Sequence, residues 1–156
     1  MMAIELVEGG PLVSTVAQLF REYGSEWPGP DLAAEGFEDE IENLPGRYRR
    51  NRRGSLLLAL VDDHAAGCIA IRRLDDQSAE IKRLFVRKHF RQYGLGRKLV
   101  EAALTEASLL GFKRVTLGTA PSMIAAQRLY VSLGFKLREA LSDKDPAGSL
   151  IMERAL

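Results

Sequence analysis

The stretch Arg91-Gln92-Tyr93-Gly94-Leu95-Gly96-Arg97 combines residue types and spacing that bear directly on chemistry. It lies between an apolar run, Ile81 to Val86, and an amphipathic helical pattern, Leu95 to Leu110. A strand that ends in glycines and restarts as a helix aims unpaired backbone N–H groups at one point, which suits a phosphate. Gly94 and Gly96 permit positive φ and let a ligand approach the backbone with no Cβ in the way. Arg87, Lys88, Arg91, Arg97 and Lys98 crowd the same turn and are expected to add cationic charge.

Two common nucleotide motifs do not fit. A dinucleotide fingerprint needs G-x-G-x-x-G in a first βαβ unit, whereas here Leu99 holds the third glycine position and several strands precede the turn. A P-loop needs four residues between its glycines and then Lys-Ser/Thr, which this turn lacks.

Periodicity and punctuation predict the elements that position the turn. Ile4 to Val7 reads as a strand, and Leu12 to Trp27 repeats apolar residues at Leu12, Val16, Leu19, Phe20 and Tyr23, a helical period. Gly24 and Pro28-Gly29-Pro30 end that helix; a second is predicted over Phe37 to Leu44, stopping at Pro45-Gly46. A basic connector, Arg47 to Gly54, leads to strands at Ser55 to Val61, Ala66 to Leu74 and Ala79 to Val86, with turns at Asp62 to Ala65 and Asp75 to Ser78. Gly111 is placed to end the helix that follows the glycine turn. A strand over Lys113 to Leu117, a helix over Ser122 to Leu133 and strands at Phe135 to Arg138 and Ser149 to Arg154 complete the order β-α-α-β-β-β-α-β-α-β-β. That order describes an α/β (α+β) chain with a mixed sheet, antiparallel hairpins in its middle and crossover helices after the glycine turn.

A chain of 156 residues with no dividing linker is expected to be one domain, 1–156, with a substantial core. Its net charge of +1 supplies no global field for nucleic acid. The lone Cys68, inside an apolar run, excludes an intrachain disulfide framework and fits a reducing cytosol. No stretch is long and apolar enough to span a membrane, and Met1 to Glu5 lacks the order of a secretory signal, so a cytoplasmic protein is expected.

The turn resembles that of the GNAT superfamily of N-acetyltransferases, whose motif is Arg/Gln-x-x-Gly-x-Gly/Ala; Arg91 to Gly96 meets every defined position. Upstream, Glu80 to Val86 resembles the family's fourth strand. Downstream, Ala126-Gln127-Arg128-Leu129-Tyr130-Val131-Ser132-Leu133-Gly134-Phe135 is similar to its A-x-x-L-Y-x-x-x-G-F ending. The resemblance implies a mostly antiparallel central sheet splayed between strands 4 and 5 and flanked by about four helices. It implies acetyl-CoA as co-substrate, with its pyrophosphate on backbone N–H groups of Gln92, Tyr93, Gly94, Leu95, Gly96 and Arg97. The pantetheine arm would pair with the backbone of Leu84, Phe85 and Val86. Irregular alternation along Ile81 to Val86 fits a β-bulge near Arg83-Leu84, and equally a strand buried on both faces.

The implied reaction is direct attack of a neutral amine on the thioester carbonyl, the acceptor being a small-molecule amine or a peptide. A backbone N–H near Val86 would polarise that carbonyl. Tyr130 stands where the family places the proton donor to the leaving thiolate; the alternative is a core-facing aromatic. Glu80 is a candidate base, or else a solvated strand residue paired with Lys82 or Arg83. Trp27 and Phe37 fall where the family covers its acceptor pocket, although Trp27 would also staple the helix end to the core. The Ala140 to Gly148 loop is expected to line the same pocket.

His89 reads as a surface loop residue and His64 as a hairpin bystander; with one cysteine besides, no metal site is supported. The run Arg47 to Arg53 holds five arginines in seven residues, but its acidic neighbour Glu35 to Glu42 suggests a solvated loop salt-bridged to the preceding helix, not an RNA site. One position departs from the family pattern. Its Asn seven residues before the helix tyrosine is Met123 here, which cannot usefully bond the cofactor arm. Rival readings are a non-catalytic CoA-binding module or regulator, and an acyltransferase with a longer acyl donor or a non-amine acceptor. The resemblance also implies a possible homodimer through exposed terminal strands.

Overall fold

The computed structural model describes residues 2–29, 31–138 and 149–156. In chain order the elements are β1 (Ile4–Glu8), α1 (Val13–Glu26), α2 (Phe37–Glu42), β2 (Ser55–Val61), β3 (His64–Arg73), β4 (Ser78–Val86), α3 (Leu95–Leu109), β5 (Arg114–Thr119), α4 (Ile124–Ser132), β6 (Lys136–Leu137) and β7 (Leu150–Ala155). The seven strands form one sheet in the order β1-β2-β3-β4-β5-β7-β6. Every neighbouring pair is antiparallel except β4 and β5, which run parallel. The expected order of elements and the mixed sheet are both present.

Period-two alternation explains how this sheet carries a core on each face. Along β2, Leu56 and Leu58 pack on one side with Val16, Leu19 and Phe20 of α1 and with Phe37 and Ile41 of α2. Leu57, Ala59 and Val61 pack on the other with α3, Tyr130 and Phe135. Helix α3 buries Leu95, Leu99, Val100, Ala103 and Ala107 completely, a stripe at helical spacing that faces the sheet.

The joints between elements differ from expectation. Asp62 and Asp63 alone form the β2–β3 turn, with φ of 49° and 66°. Such a two-residue hairpin needs positive φ at both central positions, which Asp tolerates, so His64 and Ala65 join β3 instead of the turn. The connector after α2 winds into short 3₁₀ turns at Gly46–Tyr48 and Arg50–Arg52. Its arginines scatter across the molecule instead of pairing mainly with the preceding helix. Arg47 reaches Glu40 of α2 at 3.7 Å, whereas Arg50 pairs with Glu106 of α3 at 2.7 Å. Arg53 lies 4.1 Å above the Phe112 ring.

Of the terminal strands, β1 forms a sheet edge but β7 is inserted between β5 and β6. Among the described residues no helix is long and apolar enough to cross a membrane. The Ala140 to Gly148 loop lies outside the described residues.

Candidate active site

The site begins with a fault in β4. Ala70 faces Lys82 and Cys68 faces Phe85, so β4 carries one residue more than β3 at Arg83-Leu84. This is the expected bulge. Arg83 sits at φ 61°, a conformation that costs a non-glycine residue on the order of 1–3 kcal/mol. Its side chain, 3% exposed, is anchored by Glu40 of α2 through bonds of 2.9 Å from Nε and 3.2 Å from Nη2. The guanidinium also faces the rings of Phe37 and Tyr23, at 4.8 and 5.6 Å. Burial alone would raise the Glu40 pKa, but the bonds and charge of Arg83 hold it below the ordinary carboxylate value. The Cys68 thiol donates to the Arg83 carbonyl at 3.4 Å, and burial pushes its pKa up to about 12.

The sheet opens just before the bulge. Parallel pairing of β4 with β5 ends at Ile81 opposite Leu117, although β4 runs on to Val86 and β5 to Thr119. The β4 edge past Ile81 therefore has no strand partner on that side among the described residues, and its backbone groups face a cleft. The cleft has a volume of about 320 Å³ and is walled by α1, β3, β4, β5 and α4.

Glu80 and Tyr130 line this one cleft, as do Leu84, Met123 and Trp27. Glu80 Oε1 is held by Arg72 Nε at 2.6 Å, a partner on β3 that strand-local reasoning missed; Lys82 Nζ lies 4.0 Å from the same oxygen. Tyr130 is 6% exposed and packs edge-on against Phe135, with ring centroids 5.8 Å apart. Burial, and to a lesser extent the Tyr23 phenol, raises its pKa, so the hydroxyl keeps its proton across the physiological range.

Met123 precedes the first turn of α4, and its sulfur accepts a weak bond from Thr119 Oγ1 at 3.7 Å. Gln127 braces the same loop through the carbonyls of Ala120 and Pro121, at 3.0 and 3.1 Å.

The two aromatic candidates separate. Trp27 stacks on Tyr23, with centroids 5.6 Å apart, and also lines the cleft, so the stapling and contact readings both describe it. Phe37 is buried beneath Arg83 and is not among the cleft-lining residues.

The glycine turn follows directly from β4. Lys88–Tyr93 form a 3₁₀ segment, Gly94 takes φ 70°, and α3 starts at Leu95 with no side chain capping it. The N–H groups of Leu95, Gly96 and Arg97 then have no intrahelical acceptor. Helix α4 crosses close by: a Cβ on Gly96 would stand 3.5 Å from Leu129, and Arg97 donates to Ser132 at 2.6 Å.

The charge at this turn differs from expectation. Arg87 is bound to Glu22 at 2.7 and 2.9 Å, and Arg91 to Glu26 at 2.7 Å and to the Val86 carbonyl at 2.8 Å. Acidic residues of α1 thus neutralise two of the five cations, and Arg91 braces the turn against β4. Among the described residues Lys88, Arg97 and Lys98 make no ion pair. The α1 partners lie about sixty-five residues upstream, a separation that no local pattern reveals.

A splayed mixed sheet with a helix N-terminus beyond the splay is the architecture that the sequence resemblance implies. The family model described as the acetyltransferase (GNAT) family matches residues 16–135, and the chain belongs to that family. An uncharacterized N-acetyltransferase of Schizosaccharomyces pombe is 36% identical over 78% of this chain and 74% of its own length. The crystal structure of an acetyltransferase from Streptococcus agalactiae is 27% identical, covers 99% of this chain and 98% of its own, and superimposes with a TM-score of 0.75. The PaiA N-acetyltransferase of Thermoplasma acidophilum, solved in complex with coenzyme A, shares the fold at 20% identity and TM-score 0.74, with 99% of each chain covered.

Proposed function

We propose that this GNAT enzyme is a single catalytic domain that moves an acetyl group from acetyl-CoA to a primary amine by direct attack. The observation that carries the reading is the continuity of one structural feature. The Arg83-Leu84 bulge opens the β4–β5 cleft, and the same strand then delivers the uncapped N-terminus of α3. Unpaired N–H groups of the first turn, aided by the helix dipole, suit the pyrophosphate of acetyl-CoA. The open edge of Leu84, Phe85 and Val86 suits an extended arm that pairs like an added strand.

In this scheme the amine nitrogen forms a bond to the thioester carbon as the C–S bond breaks. A β4 backbone N–H near Val86 stabilises the charge that develops on the carbonyl oxygen. Glu80 takes the amine proton, directly or through water; Arg72 and Lys82 both address Oε1, which leaves Oε2 to accept it. Tyr130, held protonated by burial, gives its proton to the thiolate. Trp27 forms part of the acceptor wall. The buried thiol of Cys68 supports a reducing cytoplasmic setting, and the free β1 edge supports a homodimer.

Thermal denaturation tests the donor assignment: saturating acetyl-CoA raises Tm while NAD and ATP do not, because a ligand selective for the native state stabilises it. Thiol release with polyamines, amino acids, aminoglycosides and peptide N-termini then tests transfer. No Tm change with acetyl-CoA rejects the donor, and a stable complex with no thiol released from any amine rejects the enzyme.

A further inference from the structure

The cleft contains a cation whose charge its surroundings do not match. Lys82 precedes the bulge, its side chain is 15% exposed, and it lines the same cavity as Tyr130. Among the described residues its ammonium makes no hydrogen bond. Its one ion contact is the 4.0 Å approach to Glu80 Oε1, an oxygen that Arg72 already holds at 2.6 Å. Glu35, the other carboxylate on the wall, is exposed and forms no ion pair with Lys82. Arg83 is answered separately by Glu40. Arg72, Lys82 and Glu80 therefore form a group of net charge +1 with ammonium donors unspent. Burial lowers the Lys82 pKa, as expected for an ammonium short of partners.

Lys82 is too far from the glycine turn to serve a pyrophosphate there. Four residues of strand separate it from Val86, about 13 Å at the usual rise, and the turn begins beyond that. What the group lacks is an anion close to Lys82 inside the cleft, on the wall where the acceptor amine must lie to reach Glu80.

We propose that the acceptor is a primary amine that also bears a carboxylate, an amino acid, whose carboxylate is held by Lys82 and Arg72 while its amine faces Glu80. This inference rests on the acetyl-transfer reading above and narrows its acceptor. Glu80 lies two residues from Lys82 on the same face of β4, so an amine and a carboxylate close together in one molecule fit the pair of groups.

The test compares amines matched in all but the anion: L-amino acids, their primary amides and their decarboxylated amines, assayed by thiol release at saturating acetyl-CoA. The expected result is kcat/KM at least tenfold higher for the carboxylates than for their amides. Lys82→Met, which leaves the Arg72–Glu80 pair in place, should cut the carboxylate-to-amide ratio of kcat/KM at least tenfold, since any effect passed through Glu80 falls on both acceptors alike. Lys82→Arg should restore the preference, and acetyl-CoA should stabilise both variants as it does the unsubstituted protein. Equal or better turnover of amides or decarboxylated amines overturns the proposal. So does a carboxylate preference that survives in Lys82→Met, or a panel in which no carboxylate turns over or shifts the Tm of the CoA-loaded protein. In these cases acetyl-CoA stabilisation of the unsubstituted protein persists; its absence overturns the donor reading and this inference with it.

Discussion

The two halves of the proposed site are built from different materials. The proposed donor end, from Leu84 at the cleft wall on through Gly94 to Arg97, offers mainly backbone: an open strand edge, a residue at positive φ and the first N–H groups of α3. The proposed acceptor end offers side chains, with Tyr23 from α1 and Trp27 just after it, Arg72 from β3, Glu80 and Lys82 from β4 and Tyr130 from α4. Backbone donors come with any sequence that folds locally into strand, turn and helix. Side-chain walls need several distant elements to meet. On the proposed assignment one half suits a constant ligand and the other can vary, as expected of a fold that hosts many sites.

Removing the anchor between the ends should have the largest effect. Glu40→Ala leaves the Arg83 guanidinium buried without its partner, and unfolding free energy should fall by about 3–5 kcal/mol in urea titration. A loss under ~1 kcal/mol would mean that the bulge holds itself.

The same pair sets an acid limit. The folded pKa of Glu40 lies below its ordinary value of 4.5, so its stabilisation is fully present above that pH and is lost as pH falls through the folded value. Tm measured downward from pH 5 should drop less steeply in Glu40→Gln than in the unsubstituted protein.

Next in size, Tyr130→Phe should lower kcat by about 100-fold with little change in acetyl-CoA stabilisation, the signature of a lost proton donor. An unchanged kcat would return Tyr130 to the core. At the donor end Gly94→Ala probes backbone alone, because a Cβ there meets no atom within 4 Å but must adopt φ 70°. It should cost about 1–2 kcal/mol and weaken acetyl-CoA binding more than acceptor KM. The smallest effect belongs outside the cleft: Arg50→Ala removes an exposed pair with Glu106 and should change stability by about 0–1 kcal/mol and kcat not at all.

Legibility in the sequence follows the same division. The turn, the bulge and the order of strands and helices were readable because each rests on residues within one or two elements of each other: glycines at Gly94 and Gly96, broken alternation at Arg83-Leu84, apolar periods along α1 and α3. Glu80 and Tyr130 were readable as candidates through family spacing, and they do share the cleft. Their partners were not. Arg72 reaches Glu80 from the neighbouring strand, eight residues away across a hairpin, and Arg83 meets Glu40 across forty-three residues. The arginines at the turn looked like a phosphate cluster, yet α1 had claimed Arg87 and Arg91 for Glu22 and Glu26. Phe37, an acceptor-pocket candidate in the sequence, packs beneath Arg83, a contact that residue spacing does not reveal.

The sequence by itself determined the elements, their order and the glycine turn that starts α3, because φ preferences, hydrophobic period and helix termini are local properties of the chain. Only the tertiary structure decided which charges are spent and which remain. Ion pairing depends on which side chains a folded sheet and its helices bring within about 4 Å, and that distance is not written in residue spacing. It took folding to neutralise two arginines at the turn and to leave Lys82 facing the cleft.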